Sequence, residues 1–205
     1  MLSTEKLEYF KATTNREIRE DLKRAVNLVG DYRVAIDCGC GAGSDIAFLR
    51  SEGFTVHGFD IEKESISLCR GRFEGDDRVY LTLASFSAFS YPKASLIVAD
   101  ASLFFCPEGE FNGVWHKIIE SLVPNGVFCG SFLGSEDTMA SQNFNKEAYW
   151  PDVLVFEEAQ VQECFKGFDV VIFTEHKKSG LAPSGEPHDW HVYSVVSKKK
   201  SNNGN

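Results

Sequence analysis

The sequence lacks the long apolar run that a membrane-spanning helix or a secretory signal requires. Its first ten residues, Met1 to Phe10, carry charges where an export signal would have an unbroken apolar core. Of its 205 residues, 43% are hydrophobic and 25% are charged, which is typical of a globular protein. Because this length is short for two independent cores, we expect one soluble, cytoplasmic domain.

Positive charge is also scarce. There are 21 Lys and Arg residues against 30 Asp and Glu residues, so the net charge is −9. Such a surface repels phosphate backbones on average, which argues against a nucleic-acid substrate and favours small or cationic ones. The lysine-rich end, residues 198–205, is expected to be a disordered tail that follows a single domain of residues 1–197.

A disulfide framework and a metal centre are missing as well. The six cysteines lie in or beside apolar runs rather than in turns, as reduced structural thiols do. Cys38 and Cys40 form a Cys-x-Cys pair, but no second pair or nearby histidine completes a zinc site. We therefore expect no metal.

Short apolar runs alternate with helix-compatible segments along the chain. Alternation of this kind predicts a doubly wound α/β fold, in which helices cover both faces of a mostly parallel sheet. The last two strands have no helix between them, so we expect them to pair antiparallel. Helices are predicted at about 44–52, 64–73, 111–122 and 157–165, and strands at 33–37, 54–60, 79–83, 96–99, 126–132, 168–174 and 191–196.

The strongest local signal is a glycine-rich turn, Asp37-Cys-Gly-Cys-Gly-Ala-Gly-Ser44, between the first strand and the first helix of the sheet. Glycines let the backbone approach a ligand closely, and ligands of open α/β sheets bind at this edge. A dinucleotide fingerprint would need a third glycine at Ser44, and Asp37 would repel a pyrophosphate. A ligand with an amine and without phosphate, such as S-adenosylmethionine, suits the turn better.

The second predicted strand ends in Asp60, 21 residues after Gly39, and is followed by Ile61. A carboxylate at this position can accept hydrogen bonds from both ribose hydroxyls of an adenosine nucleoside. Its alternative role is to cap the next helix. Asp60 thus supports an adenosine ligand without selecting one cofactor.

On these residues the sequence resembles the class I S-adenosylmethionine-dependent methyltransferases, and it is similar to the tellurite-resistance and thiopurine-type small-molecule enzymes. The resemblance covers residues 30–135 well and the remainder loosely. It implies a seven-stranded sheet whose last strand is antiparallel. It also implies a cofactor site in which the turn lies under the methionine portion, the end of the second strand holds the ribose, and the residues after the third strand flank the adenine: Asp37, Gly39, Cys40, Gly41, Gly43, Asp60, Ile61, Ser85 and Phe86.

Asp100 ends the fourth predicted strand, beside the expected position of methyl transfer. It is not followed by the Pro-Pro-aromatic sequence of enzymes that methylate the exocyclic amines of bases. Asp100 is expected either to orient the cofactor or acceptor or to cap a helix. His188 and His191 lie either at an aromatic strand edge or, for one of them, in a substrate pocket. These three residues are weak candidates for a general base.

The acceptor is expected to bind under two covering segments. One is the N-terminal cover, residues 1–30, with Tyr9 and Phe10. The other is an insertion, residues 134–157, that carries Tyr149 and Trp150 and is long for a connector. A purely structural flap is the alternative for this insertion.

The sequence therefore predicts an S-adenosylmethionine-dependent methyltransferase that transfers a methyl group in line to a small molecule. Two alternatives remain open at this point. One is a regulatory protein that binds S-adenosylmethionine without catalysis, and the other is an NAD-dependent oxidoreductase on a similar sheet.

Overall fold

The computed structural model describes residues 10, 13–141, 153–182 and 185–201. Three residues expected to contact the acceptor, Tyr9, Tyr149 and Trp150, lie outside this part of the chain. In the part described, the helices are α1 Glu20–Leu28, α2 Ser44–Ser51, α3 Lys63–Arg72, α4 Glu108–Ser121 and α5 Glu158–Cys164. The strands are β1 Val34–Cys38, β2 Thr55–Asp60, β3 Val79–Leu83, β4 Ala94–Ala99, β5 Leu122–Gly134, β6 Val155–Phe156, β7 Phe168–Leu181 and β8 Pro187–Lys199. Short 3-10 helices lie at Leu103–Phe105 and Thr138–Ala140.

The strands form one mixed sheet in the order β3-β2-β1-β4-β5-β8-β7. The pairings among β1 to β5 are parallel, whereas β8 runs antiparallel to both β5 and β7. This confirms the predicted α/β fold and its antiparallel last strand. The two-residue strand β6, which pairs with the end of β5, is an addition to the seven strands expected.

Each face of the sheet has its own apolar core, because side chains alternate between the two faces along every buried strand. One face carries an aromatic cluster in which Trp115 of α4 packs edge-on against Phe128 at 5.1 Å and Phe165 at 5.2 Å between ring centroids. The other face packs against aliphatic side chains of α1, α2 and α3, including Leu22 and Leu49. The ends of the central strands are thereby held rigidly.

The disordered tail was predicted to begin at residue 198, which is too early in the chain. Lys198 and Lys199 belong to β8, where they pair with Asp169 and Phe168 of β7. The ammonium of Lys199 donates to the carbonyl oxygens of Ile119 at 2.6 Å and Leu122 at 2.8 Å. A lysine run at the end of a strand can continue the backbone pairing while its ammonium groups find carbonyl oxygens.

The expected insertion, 134–157, is shorter than predicted at its C-terminal end. Val155 and Phe156 pair with Leu133 and Gly134, and the Phe156 side chain is buried in the aromatic cluster. Residues 142–152 lie outside the described part. Within the part described, no helix is both long and apolar enough to cross a membrane.

Substitution by alanine is expected to change the stability of the fold in opposite directions at two glycines. A Cβ at Gly134 would overlap the imidazole ring of His191, so Gly134→Ala should destabilise the fold by about 1–3 kcal/mol. Gly113 lies on the exposed side of α4 with open space around it, so Gly113→Ala should stabilise by up to about 1 kcal/mol. Urea denaturation measures both changes, and a neutral effect of Gly134→Ala would contradict the packing of His191.

Candidate functional site

The cleft of interest lies at the carboxyl ends of β1 and β4, near the middle of the sheet. β1 pairs with β2 on one side and with β4 on the other, so the chain order reverses here. In open α/β sheets this reversal leaves a crevice at the carboxyl edge, where ligands bind. The residues that give this cleft its charge and access are Arg16, Asp37, Gly41, Asp45 and Asp100.

All three glycines of the turn have left-handed backbone conformations, with φ of +71° at Gly39, +51° at Gly41 and +78° at Gly43. Their surroundings differ. A Cβ at Gly39 would lie 2.6 Å from the Cβ of Ser102, and one at Gly43 would lie 2.8 Å from the ring of Phe73. A Cβ at Gly41 would meet no atom within 4 Å. Gly39 and Gly43 are therefore required for packing, whereas Gly41 leaves open space over the cleft.

The turn is fixed to the end of β2. The amides of Gly39 and Cys40 both donate to the carbonyl oxygen of Phe59 at 2.9 Å. The carboxylate of Asp60 accepts from the amide of Gly41 at 2.9 Å and, through its other oxygen, from the amide of Glu62 at 2.9 Å. Glu62 precedes α3 as its cap residue, so the capping alternative for Asp60 is wrong. Asp60 instead holds Gly41 in place.

Burial raises the pKa of Asp60, although the N–H groups of Glu62 and Gly41 favour its charged form. Asp60 does not itself line the cleft, but Gly41, which it holds, does. The carboxylate of Asp60 and the open space above Gly41 therefore lie next to each other at the carboxyl edge of the sheet.

Asp37 carries a buried carboxyl group, one oxygen of which lacks a hydrogen-bond partner. Its Oδ2 has no solvent exposure and makes no hydrogen bond within the described structure. Burial raises its pKa well above the usual value, the negative charge of Asp45 raises it further, and the charge of Arg16 opposes the shift. Because Asp37 lines the cleft, a cationic ligand there would supply the missing partner.

An N-terminal segment covers this side of the cleft through two arginines. The guanidinium of Arg16 lies 2.8 Å from Asp45 Oδ2 and 3.5 Å from Asp100 Oδ2. Arg19 contacts the same two oxygens, at 3.4 Å and 2.9 Å respectively. The cap residue of the 3-10 helix that follows is Ser102, so the capping alternative for Asp100 is wrong, and its carboxylate pairs with both arginines instead.

Backbone strain follows directly after Asp100. Ala101 has φ of +47°, a conformation that costs a residue other than glycine about 1–2 kcal/mol. Its amide donates to Ser131 Oγ at 2.7 Å, and the hydroxyl of Ser102 donates to the carbonyl oxygen of Cys38 at 2.6 Å. These bonds hold the end of β4 against the turn in the strained conformation.

The residues expected near an adenine lie at the same sheet edge but outside the cleft. Ile61 is 66% exposed directly after β2. Ser85 and Phe86 follow β3, which pairs in parallel with β2, and Phe86 packs edge-on against Phe59 at 5.4 Å. The hydroxyl of Ser85 accepts from the amide of Ala88 at 3.3 Å.

His188 and His191 are not among the residues that line the cleft, and they lie in a hydrogen-bonded cluster. Nδ1 of His191 accepts from the amide of Glu136 at 3.0 Å, so its Nε2 carries the proton and donates to Glu175 at 2.9 Å. His188 Nε2 lies 3.1 Å from Asp137 Oδ1, and Asp137 Oδ2 accepts from the amide of His191 at 2.9 Å. Both histidines fix the loop after β5 to β8.

Sequence reasoning missed the charged partners of the cleft, Arg16, Arg19 and Asp45. The only signal for Asp45 is its place in the first turn of the helix after the glycines, and the two arginines lie in a polar stretch without a motif. Phe10, an expected acceptor contact, is buried, and its carbonyl oxygen accepts from Thr14 Oγ1 at 2.7 Å. Phe10 is not among the residues that line the cleft.

Comparisons with known proteins agree with this fold. A family described as "Methyltransferase domain" matches residues 35–126. TehB from Haemophilus influenzae superimposes with a TM-score of 0.76 at 18% identity, covering 95% of this chain and 67% of that one. NodS from Bradyrhizobium japonicum, an N-methyltransferase solved with S-adenosyl-L-homocysteine, superimposes with a TM-score of 0.63 at 11% identity. The match covers 95% of this chain and 98% of that one.

A third structure is the 1,6-didemethyltoxoflavin-N1-methyltransferase of Burkholderia thailandensis, solved with its acceptor and S-adenosylhomocysteine. It gives a TM-score of 0.60 at 16% identity, and the match covers 96% of this chain and 88% of that one. No curated protein matches the sequence.

Replacing the orphaned carboxyl group should stabilise the protein without ligand. Because the pKa of Asp37 is raised on folding, its contribution is lost as pH rises through that raised pKa and is fully present below about 3.9, the unfolded value. Asp37→Asn should remove this loss, so its advantage over the wild type, roughly 1 kcal/mol, should grow from pH 5 to pH 8. Urea denaturation at both pH values tests this, and parallel pH profiles would contradict it.

Proposed function

We propose, from the premise that residues 35–126 belong to the methyltransferase-domain family, that this chain transfers a methyl group from S-adenosylmethionine to a small molecule. The observation that carries the proposal is the buried, unpartnered Oδ2 of Asp37 beside the open space at Gly41. An ammonium group satisfies such a carboxylate, and an adenosine ligand that bears one suits the site better than a pyrophosphate.

In the proposed site, residues at this edge of the sheet are assigned to each part of the cofactor. Asp37 receives the ammonium group, and the backbone at Gly41 leaves room for the chain that follows it. Each carboxylate oxygen of Asp60 accepts one backbone N–H, which leaves acceptor capacity for the ribose hydroxyls. The expected flanks of the adenine, Ile61 on one side and Ser85 with Phe86 on the other, lie next to Asp60. The remaining residues proposed to bind the cofactor are Gly39, Cys40, Gly43 and Asp100.

S-adenosylmethionine supplies a methyl group on a sulfonium that is already a good leaving group. The protein therefore has to align the acceptor in line with that methyl group and to exclude water. The segment that begins at Phe10 covers one side of the cleft, and the segment 134–152 is proposed to cover the acceptor. Tyr9, Tyr149 and Trp150 are its proposed contacts, whereas the buried Phe10 anchors the N-terminal segment.

None of the three candidates for a general base, Asp100, His188 and His191, is free to act at the cleft. The carboxylate of Asp100 is paired with two guanidinium groups, and His188 and His191 are engaged elsewhere. We therefore propose an acceptor that attacks through an existing lone pair or a thiolate, which needs no proton removal by the enzyme. Asp100 acts as a positioning residue for the N-terminal segment.

The acceptor is proposed to be small and the protein cytoplasmic. The net charge of −9 disfavours a nucleic-acid substrate, and one structurally similar protein methylates a small heterocycle. A screen of thiols, amines, phenols and metalloid oxyanions, scored by release of S-adenosylhomocysteine, would identify the acceptor class. Binding of the cofactor without turnover on any acceptor would favour a regulatory protein instead.

Alanine substitutions at two glycines that share the same backbone constraint test the cofactor site. Gly41 and Gly53 both have positive φ and open space for a Cβ, but Gly53 lies at the far end of α2. Each alanine variant should therefore lose about 1–2 kcal/mol of stability. Only Gly41→Ala should lower affinity for S-adenosylhomocysteine, by at least tenfold in calorimetry. Equal affinities in the two variants would mean that the turn is only a connector.

The histidines should be dispensable for the chemical step. His188→Gln should lower kcat less than about tenfold, whereas loss of a general base costs about 10²–10⁴-fold. His191→Gln should cost about 1–3 kcal/mol of stability, because it disturbs a buried hydrogen-bonded group, while the pH profile of kcat stays unchanged. A histidine-like limb in that profile that vanished in either variant would instead identify the base.

A further inference from the structure

Helix α3 places a hydroxyl and a thiol directly against the glycine-rich turn. The hydroxyl of Ser65 donates to the carbonyl oxygen of Gly41 at 2.7 Å, and the thiol of Cys69 donates to the same oxygen at 3.3 Å. Cys69 also packs closely against the backbone of the turn, because a Cβ at Gly43 would lie 3.0 Å from its sulfur. The position of Gly41 therefore depends on α3 as well as on Asp60.

Cys40, within the turn itself, forms a pair of thiols with Cys69. The sulfur of Cys40 is 4.0 Å from the hydroxyl oxygen of Ser65, and its thiol is hydrogen-bonded to that of Cys69. Both thiols are free, and Cys40 is among the residues that line the cleft. Two free thiols in contact form a disulfide without a large movement of the chain.

Cys69 differs from the other cysteines in the acidity of its thiol. Its pKa is lowered because the thiol of Cys40 donates to its sulfur, and the charge of Arg72 acts in the same direction, whereas burial opposes the shift. The same hydrogen bond raises the pKa of Cys40. Burial raises the pKa of the four cysteines outside the pair, Cys38, Cys106, Cys129 and Cys164. Because the thiolate is the reactive form, Cys69 is the expected nucleophile.

We propose that Cys40 and Cys69 form an oxidation site beneath the glycine-rich turn, where a hydroperoxide converts the two thiols to a disulfide that excludes the cofactor. The Cys69 thiolate attacks one oxygen of hydrogen peroxide, the O–O bond breaks, and the departing hydroxide takes up a proton to become water. Cys69 is then a sulfenic acid. The sulfur of Cys40 attacks that of Cys69, the S–O bond breaks, and the thiol proton of Cys40 leaves with the oxygen as a second water. Two electrons pass from the sulfurs to the peroxide.

The disulfide changes the turn over which the cofactor is proposed to lie. An S–S bond is about 2.0 Å long, shorter than the contact between two thiols, so its formation draws the turn and α3 together. It also removes the proton that Cys69 donates to the carbonyl oxygen of Gly41. Linkage requires the converse, that a bound cofactor opposes oxidation. The oxidation is independent of the proposed function, whereas its coupling to the cofactor rests on it.

Treatment of the purified, reduced protein with hydrogen peroxide tests the site. The number of free thiols should fall from six to four, and a digest without reductant should join the peptides that carry Cys40 and Cys69. In calorimetry the oxidised protein should bind S-adenosylhomocysteine at least tenfold more weakly, and dithiothreitol should restore the affinity. Saturating S-adenosylhomocysteine should slow the loss of thiols at least tenfold.

Two serine variants supply the controls. Cys69→Ser keeps a donor for the carbonyl oxygen of Gly41, so it should bind S-adenosylhomocysteine as the wild type does, and peroxide should leave its affinity unchanged. Cys164, the most exposed of the six cysteines, lies outside the pair, so Cys164→Ser should respond to peroxide as the wild type does. If the buried serine at position 69 destabilises the fold, Cys69→Ala serves the same purpose.

The opposite results are equally clear. No disulfide between Cys40 and Cys69, or an unchanged affinity of the oxidised wild type, would overturn the proposal. A loss of affinity in peroxide-treated Cys69→Ser as large as in the wild type would assign the effect to another site. If the reduced wild type bound no S-adenosylhomocysteine, the proposed function and the coupling would both fall, while the digest would still decide whether the disulfide forms.

Discussion

The cleft depends on one buried carboxyl group, that of Asp37, whose Oδ2 oxygen has no hydrogen-bond partner among the described residues. This group lies at the end of a buried central strand, and the loss of hydration raises its pKa well above the usual value. The neighbouring features follow from this constraint. The turn at Gly41 keeps the space beside Asp37 open, Arg16 brings a counter-charge across it, and the strained backbone at Ala101 holds the end of β4 close. Destabilisation at this edge is offset by the two apolar cores that clamp the sheet.

Local patterns predicted the fold and the turn well, because both arise from interactions between near neighbours in sequence. The alternation of apolar strands with helices placed every central strand within a few residues of its observed bounds. The glycines at 39, 41 and 43 marked the turn, since three alternate positions with positive φ tolerate little else. Asp60 was found for its position at the end of β2, but its bond to the amide of Gly41 was beyond prediction, because that contact joins the end of β2 to the turn after β1.

The parts that escaped prediction are long-range ion pairs and side-chain clusters. Arg16 meets Asp100 across 84 residues, and no spacing within the chain encodes that contact. His188 and His191 were candidates for chemistry because imidazole titrates near neutrality, yet partners as distant as Asp137 and Glu136 engage them in structure. Residue type alone suggested a catalytic role for these histidines, but their role depends on the groups to which they are hydrogen-bonded.

The unpartnered carboxyl oxygen of Asp37 also bears on the stability of the folded protein in the cell. A ligand that binds only the folded state stabilises it by RT ln(1 + [L]/Kd), which is about 2.7 kcal/mol at a concentration one hundred times Kd. Because partial unfolding exposes a chain to proteases, such a gain changes protein turnover as well as occupancy. We therefore expect this protein to resist unfolding, and with it proteolysis, more when its ligand is bound than when the ligand is scarce.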